Sequence, residues 1–376
     1  VSKAPPLDRL VPAYIRRFQA YIPSKPDQEL KKLYGCSRLY RLNNNENALG
    51  PPHGAQQVIR AFPPPQASIY PSGDAYYLRC QLAERFGMAL EQFLVGNGAN
   101  EVITFVIKAF CQEGDNIITA DKTFAVYEWV AEFSGFEARL VPLKDFGFDA
   151  EGMLQKIDER TKILFLCNPN NPTGSFWSLE QLRHFLDRID GSQIVVVDEA
   201  YAEFVEDPSY PDGMALIREY PNLVVFRTFS KMYALGGLRI GYLAGSREVV
   251  DIIRRTCVVY SVNALAQVAA LAALADNGEH VARTRELIRR GKTFLTKEIA
   301  NLGLPFVLGE GNFMMIKLPM NDALAYRKLM TLGVMVRAMT AFRFPNWIRV
   351  TISHQEAMVA LVGALGQMLD RAGKES

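Results

Sequence analysis

A lysine set where a buried strand gives way to a glycine-containing loop has chemistry to offer. Lys231 stands in Arg227-Thr-Phe-Ser-Lys-Met-Tyr-Ala-Leu-Gly-Gly-Leu-Arg-Ile-Gly-Tyr242, directly after the apolar run Leu223-Val-Val-Phe226. An amine in a partly desolvated place loses some preference for its charged form and becomes a usable nucleophile or base. Ser230 adds a hydroxyl and Arg239 a fixed cation, a combination suited to a phosphate dianion. An amine for a carbonyl beside an anchor for a phosphate points to pyridoxal 5′-phosphate held as an imine.

Other segments fit the same group. Ile194-Val-Val-Val-Asp198-Glu-Ala-Tyr201 ends an apolar strand with an acid. A carboxylate on the floor of a cleft is costly unless a cation meets it, and a protonated pyridine nitrogen is such a cation. A helix cap or a surface ion pair is the other use for a strand-end acid. Tyr201 follows closely enough to reach the ring's phenolic oxygen, though it also reads as a packed aromatic. In Cys167-Asn-Pro-Asn-Asn171-Pro-Thr-Gly174, a turn after a strand, Asn171 could donate to that same oxygen. Val95-Gly-Asn-Gly-Ala99-Asn100-Glu101 precedes a helix, so Ala99 and Asn100 offer backbone N–H groups to an anion; Asn100 could equally be a plain cap. The spacing of its glycines is not that of a dinucleotide-binding turn. Phe124 is placed to stack on a flat ring, though a phenylalanine also reads as a core residue. Near the end, Arg337 closes Val334-Met-Val336 and Arg349 interrupts Trp347-Ile-Arg-Val-Thr-Ile352; a guanidinium in a strand pattern suits a carboxylate, or else is solvated at a sheet edge.

The elements that must hold these residues alternate. Helical spacing over Glu101–Cys111 and 125–135 is interleaved with strand-like runs at Asn116–Thr119, Ala138–Val141, Lys162–Cys167, Gln193–Val197, Leu223–Phe226 and Ile240–Leu243. Runs apolar on both faces, separated by helices, predict an α/β fold with a mainly parallel sheet covered on both sides. Ligands of such sheets bind beyond the carboxyl ends of the strands, where the polar motifs lie. Two longer helices follow, near 264–275 and 281–302. The last third, with Phe313–Ile316, Val334–Val336 and Ile348–Ile352 as strands, reads as a smaller α+β domain. The early Pro- and Gly-rich stretches at 21–26, 50–54 and 62–65 read as an irregular arm and loop.

The chain has 376 residues, 49% hydrophobic and 22% charged, with a net charge of +2. That balance offers no field for nucleic acid or an acidic membrane. Five cysteines and four histidines lie scattered without metal-type spacing, so no metal site and free thiols in a cytoplasmic protein are expected. No apolar stretch is long enough to span a bilayer, and Val1-Ser-Lys-Ala-Pro does not read as a signal peptide.

Together, Asn168-Pro-Asn-Asn-Pro-Thr-Gly174, Asp198-Glu-Ala-Tyr201, Ser230-Lys231 with Arg239, and Asn346-Trp-Ile-Arg349 resemble the fold-type I pyridoxal-phosphate enzymes of the class I/II aminotransferase group. The likeness is closer still to histidinol-phosphate aminotransferases, through Val11–Arg16, Tyr21–Pro26, Arg41-Leu-Asn-Asn-Asn-Glu-Asn47, Ile69-Tyr-Pro71 and Ser261–Gln267, and so covers nearly the whole chain. The resemblance implies an aspartate aminotransferase-like fold: an arm with part of the small domain (1–40), a large domain with a seven-stranded sheet (41–270) and a small domain (271–376). It implies that Lys231 forms the Schiff base and shuttles the proton, Asp198 pairs with the pyridinium, Asn171 and Tyr201 hold the phenolic oxygen, and Phe124 stacks on the ring. Ala99, Asn100, Ser230 and Arg239 would hold the phosphate, joined by Tyr70 of the neighbouring subunit in a homodimer. Arg349 would bind the substrate carboxylate; Arg337, Tyr21 and Asn47 complete the substrate set. Asn100 and Phe124 depart from the group's usual acid and tyrosine, and Arg343 adds a second cation near the distal end. The activity implied is transamination between histidinol phosphate and 2-oxoglutarate. Other amino acids, or decarboxylation of threonine phosphate, suit the same motifs.

Overall fold

The structure is a computed structural model that describes residues 9–20, 23 and 25–375. After a short strand β1 (Tyr40–Arg41), the strands β2 (Phe93–Gly96), β3 (Asn116–Ala120), β4 (Glu137–Val141), β5 (Thr161–Cys167), β6 (Ile194–Asp198), β7 (Leu223–Thr228) and β8 (Gly241–Ala244) follow. The last seven form one sheet in the order β2-β8-β7-β6-β5-β3-β4. Its pairings are parallel except those of β8, which runs antiparallel to both β7 and β2. Alternation along β5 shows why the strands read as continuously apolar. Ile163 and Phe165 join Val196 and Phe226 in one core, while Leu164 and Leu166 join Val195 and Val197 in the other. Each such side chain is worth about 1.5–3 kcal/mol when buried, so both faces must be covered by helices.

Helix Ala99–Phe110 illustrates the covering. Val102, Ile103, Phe105, Val106 and Ile107 form its buried face, and it starts after Gly98, whose φ of 85° suits glycine. The proline-rich stretches differ from expectation. Pro12, Pro26 and Pro52 each stand immediately before a helix, at Ala13–Arg17, Asp27–Tyr34 and His53–Ala61. A proline's fixed φ and missing N–H suit a helix start, so Pro26 and Pro52 lead into helices that bury Leu30 and Ala55, while the helix after Pro12 buries none of its residues.

The remaining strands are β9 (Phe306–Val307), β10 (Phe313–Lys317), β11 (Val334–Met335), β12 (Arg337–Ala338) and β13 (Trp347–Thr351). Four of them form an antiparallel sheet, β12-β13-β10-β9, while β11 pairs in parallel with β1. The single strand expected over 334–336 is therefore two, split so that Arg337 enters the antiparallel sheet opposite Arg349. Helix Asp27–Tyr34 buries Leu30 against Met330 and Met335, which ties the start of the chain to this smaller sheet.

Candidate active site

Beyond the carboxyl ends of β5, β6 and β7 lies a cleft of about 270 Å³. Ala99, Asn100, Phe124, Asn171, Asp198, Tyr201, Ser230, Lys231, Arg239, Arg337 and Arg349 all line it, joined by Asn44, Asn45, Cys167, Ala200, Thr228 and Phe342. Parallel strands end on one edge of their sheet, and the loop before β8 reaches the same edge because β8 runs the other way. That topology gathers residues scattered across the sequence into one place.

Lys231 projects from the loop after β7, and its Nζ donates to the Asn44 carbonyl at 2.8 Å. Burial brings its amine down to about 8; Arg349 and Arg239 push the same way, while Glu46 and Asp198 oppose. Such an amine is substantially neutral at mildly alkaline pH. Asp198, 2% exposed, ends β6. Burial raises its acid above the ordinary range. Two donors counter that: the Tyr127 hydroxyl at 2.6 Å on Oδ2 and the Ala200 N–H at 3.0 Å on Oδ1.

The first turn of helix Ala99–Phe110 carries no side-chain cap, so Asn100 does not serve as one. Glu101 is turned away, accepting from the Asn97 N–H at 2.6 Å and the Ser261 hydroxyl at 2.8 Å. The Arg239 guanidinium lies so near Gly98, just before this turn, that a Cβ there would collide with it. A Cβ on Gly241 would come within 3.3 Å of the Ala99 nitrogen. Glycine at both positions opens a cradle of helix N-terminus, guanidinium and Ser230 fit for a phosphate. A half-buried ring, Phe124, and the deep acid Asp198 complete a set that fits a flat, phosphate-bearing pyridine aldehyde.

The outer wall comes from the smaller sheet. Arg349 is 4% exposed; its guanidinium donates to Asn171 Oδ1 and, at 2.8 Å, to the Asn43 carbonyl. With its acceptor side taken, the Asn171 amide has its NH2 left to donate. Arg337 stands directly across the strands from Arg349, with Phe342 5.9 Å and 6.0 Å from their respective guanidinium carbons. The Nε of each arginine is buried without a hydrogen-bond partner in the protein. Burial brings Arg349 down to about 10, with Tyr201 opposing and Arg337 adding to the fall.

Some predicted residues lie elsewhere. Asn47 faces away from the cleft, donating to the Met232 carbonyl at 2.8 Å and to Thr284 Oγ1 at 3.1 Å, so it braces the residue after Lys231 instead of meeting substrate. Its neighbours Asn44 and Asn45 line the cleft, and Asn45 donates to the Tyr201 hydroxyl at 2.9 Å. The motif was visible; which of its asparagines turned inward was not. Tyr70, expected to serve a neighbouring subunit's site rather than this one, is 81% exposed on the surface, against Tyr260. Tyr21 lies outside the described residues. Arg343 is engaged by Glu128 at 2.6 Å and by the Asp121 carbonyl at 2.9 Å, so it is not a second free cation in the cleft. Tyr127 had been absorbed into an apolar helix pattern. The period of two along β6 gives its signal, since Asp198 shares a face with Val196 and Ile194, the face that helix Val126–Phe133 covers.

The profile of the family "aminotransferase class I and II" matches residues 38–364. Histidinol-phosphate aminotransferase of Anaeromyxobacter sp. strain Fw109-5 is 37% identical over 362 residues, covering 96% of this chain and 99% of that protein. Histidinol-phosphate aminotransferase of Sinorhizobium meliloti, solved with pyridoxal 5′-phosphate, superposes with a TM-score of 0.85 at 23% identity, covering 96% of this chain and 97% of that one. A double mutant of Thermus thermophilus aspartate aminotransferase gives 0.80 at 23% identity, over 94% and 99% of the two chains. At those identities the two structures speak for the fold, which is aspartate aminotransferase-like. The chain belongs to the class I and II aminotransferases, and is accordingly a pyridoxal-phosphate-dependent transferase of nitrogenous groups. No described helix is long and apolar enough to cross a membrane.

Proposed function

We propose that the chain moves an amino group between glutamate and the keto form of histidinol phosphate, in two half-reactions at one site. The pair of cross-strand arginines carries this reading. Like charges set directly opposite each other repel, and two buried Nε–H groups without partners cost about 1–3 kcal/mol each. A substrate bearing a carboxylate or a phosphate turns that cost into binding. Arg349, deep and beside Asn171, is the grip for the α-carboxylate of glutamate; Arg337, nearer the mouth, takes the distal phosphate of histidinol phosphate.

The cofactor, when bound, supplies an aldehyde for the amino group and a ring that accepts electrons from the substrate's α-carbon. Ala99, Asn100, Ser230 and Arg239 would hold its phosphate, Phe124 would face its ring, Asp198 would pair with the ring nitrogen, and Asn171 and Tyr201 would serve the phenolic oxygen. Lys231 Nζ would be the amine that links to the cofactor at rest and, when free, the base that carries the substrate's α-proton.

Dimerisation belongs to the same proposal. Ile69, Tyr70, Tyr77, Val258, Val259 and Tyr260 are all 49–81% exposed, and Tyr70 lies against Tyr260; exposed apolar side chains of this kind support a partner surface. A second copy seated there would bring its Tyr70 to this chain's phosphate cradle. We further propose a cytoplasmic enzyme whose arm and part of the small domain span 1–40, large domain 41–270 and small domain 271–376; the packing of Leu30 against Met330 and Met335 supports the first of these.

The deciding experiment offers glutamate, histidinol phosphate, phenylalanine, ornithine and threonine phosphate separately to the holoenzyme while the cofactor spectrum is followed. Histidinol phosphate and glutamate are expected to convert it to the amine form fastest. Faster conversion by phenylalanine or ornithine, or release of carbon dioxide from threonine phosphate, would replace the proposed substrate.

A further inference from the structure

The hydroxyl on the hidden side of Asp198 has no part in the roles assigned above. Tyr127 is fully buried in helix Val126–Phe133, its ring stacked on Phe165 at 4.7 Å and 10° and set edge-on to Phe124 at 5.6 Å. A tyrosine in an apolar core requires a partner for its O–H, and here the partner is Asp198 Oδ2 at 2.6 Å. Phe165 below and Phe124 at the edge fix the ring, so the hydroxyl has little freedom to be elsewhere. The Ala200 N–H takes the other oxygen at 3.0 Å. Both carboxylate oxygens are thus held from behind and beside, while Asp198 still lines the cleft.

We infer that Tyr127 is a positioning residue for the cofactor: its hydroxyl fixes the Asp198 carboxylate in the orientation that meets the ring nitrogen. The inference rests on the assignment of Asp198 as that nitrogen's partner. Each group facing Asp198 can be named: Tyr127 from the covering helix, Cys167 at the end of β5, Tyr201 in the next turn and Lys231 from the loop after β7. Burial drives the acid toward its neutral form, and Tyr127 opposes this most among its hydrogen-bond donors. Without the hydroxyl, Asp198 protonates at higher pH, and a neutral acid no longer keeps the ring nitrogen charged.

The test is the affinity of the full-length apoprotein for pyridoxal 5′-phosphate, titrated by absorbance from neutral pH downward. It uses the parent, Tyr127→Phe, Asp198→Asn and the double variant. Tyr127→Phe removes one hydroxyl and keeps the ring, and apoprotein melting is recorded alongside. Loss of a hydrogen bond to a charged group should weaken cofactor binding by roughly ten- to a hundredfold. The pH at which affinity is lost should move upward. In the Asp198→Asn background the same change should add less than about threefold, because the two residues act as one unit. Unchanged affinity and an unmoved acid limb in Tyr127→Phe would overturn the inference while leaving Asp198 in place, as would a full, additive loss in the double variant. If Asp198→Asn itself binds the cofactor as the parent does, the assignment of Asp198 falls and Tyr127's role falls with it.

Discussion

The floor of the cleft and its outer wall treat charge in opposite ways. On the floor, Asp198 has a donor on each oxygen and Lys231 has a carbonyl for its amine. On the wall, Arg337 and Arg349 face each other across two strands, each with a buried Nε–H that the protein leaves unmet. A satisfied floor can keep one resident group in one place through many turnovers. A wall with unmet donors is suited to anions that arrive, are held and leave. The difference in hydrogen-bonding supports the proposed division into a cofactor half and a substrate half.

The contrast can be broken at either side. Lys231→Ala should have the largest effect, a fall in turnover of about four orders of magnitude with loss of the lysine-linked absorbance, since it removes both nucleophile and proton carrier; single-turnover spectroscopy would expose any retained activity. Arg349→Ala comes next, with kcat/KM expected to fall by about 3 kcal/mol, or roughly a hundredfold, for glutamate, and by less for histidinol phosphate, which has no carboxylate for Arg349 to hold. Arg337→Ala should sharpen the distinction: about tenfold for histidinol phosphate, and within about threefold for glutamate. Equal losses for both amines would move the distal grip elsewhere. The mildest effect is one of pH. Because the Lys231 amine is brought down to about 8, the rate at which apoprotein captures pyridoxal 5′-phosphate should rise as pH climbs through that value and then level off. An ordinary lysine would keep rising past pH of about 10, so stopped-flow capture rates distinguish the two.

The two halves also differed in how far the sequence disclosed them. The floor is written in contiguous segments: an apolar strand, then its acid, lysine or asparagine turn. Local pattern was enough to find Asp198, Asn171, Ser230 and Lys231, and the run of strands and helices was enough to expect the parallel sheet. The wall depends on pairing between distant strands. Nothing local told that the segment ending at Val336 would break so that Arg337 came to lie opposite Arg349. The loop Asn43–Asn47 was visible as a motif, but an irregular backbone has no period from which to read which side chain turns inward. So Asn47 was expected in the cleft, whereas Asn44 and Asn45 occupy it. Tyr127 was hidden for a different reason, since a buried aromatic in a helix has the same pattern whether or not its hydroxyl has work to do. Arg343 looked available because the position of its partner Glu128 is fixed only by how the two sheets meet.

The asparagine loop also joins the floor to the wall. Successive carbonyls, those of Asn43 and Asn44, hold the Arg349 guanidinium and the Lys231 amine. Neighbouring Cα atoms are about 3.8 Å apart by covalent geometry, whatever the sheets around them do. One bonded segment therefore tethers a side chain from each sheet, so Lys231 and Arg349 stay coupled even if one layer shifts over the other.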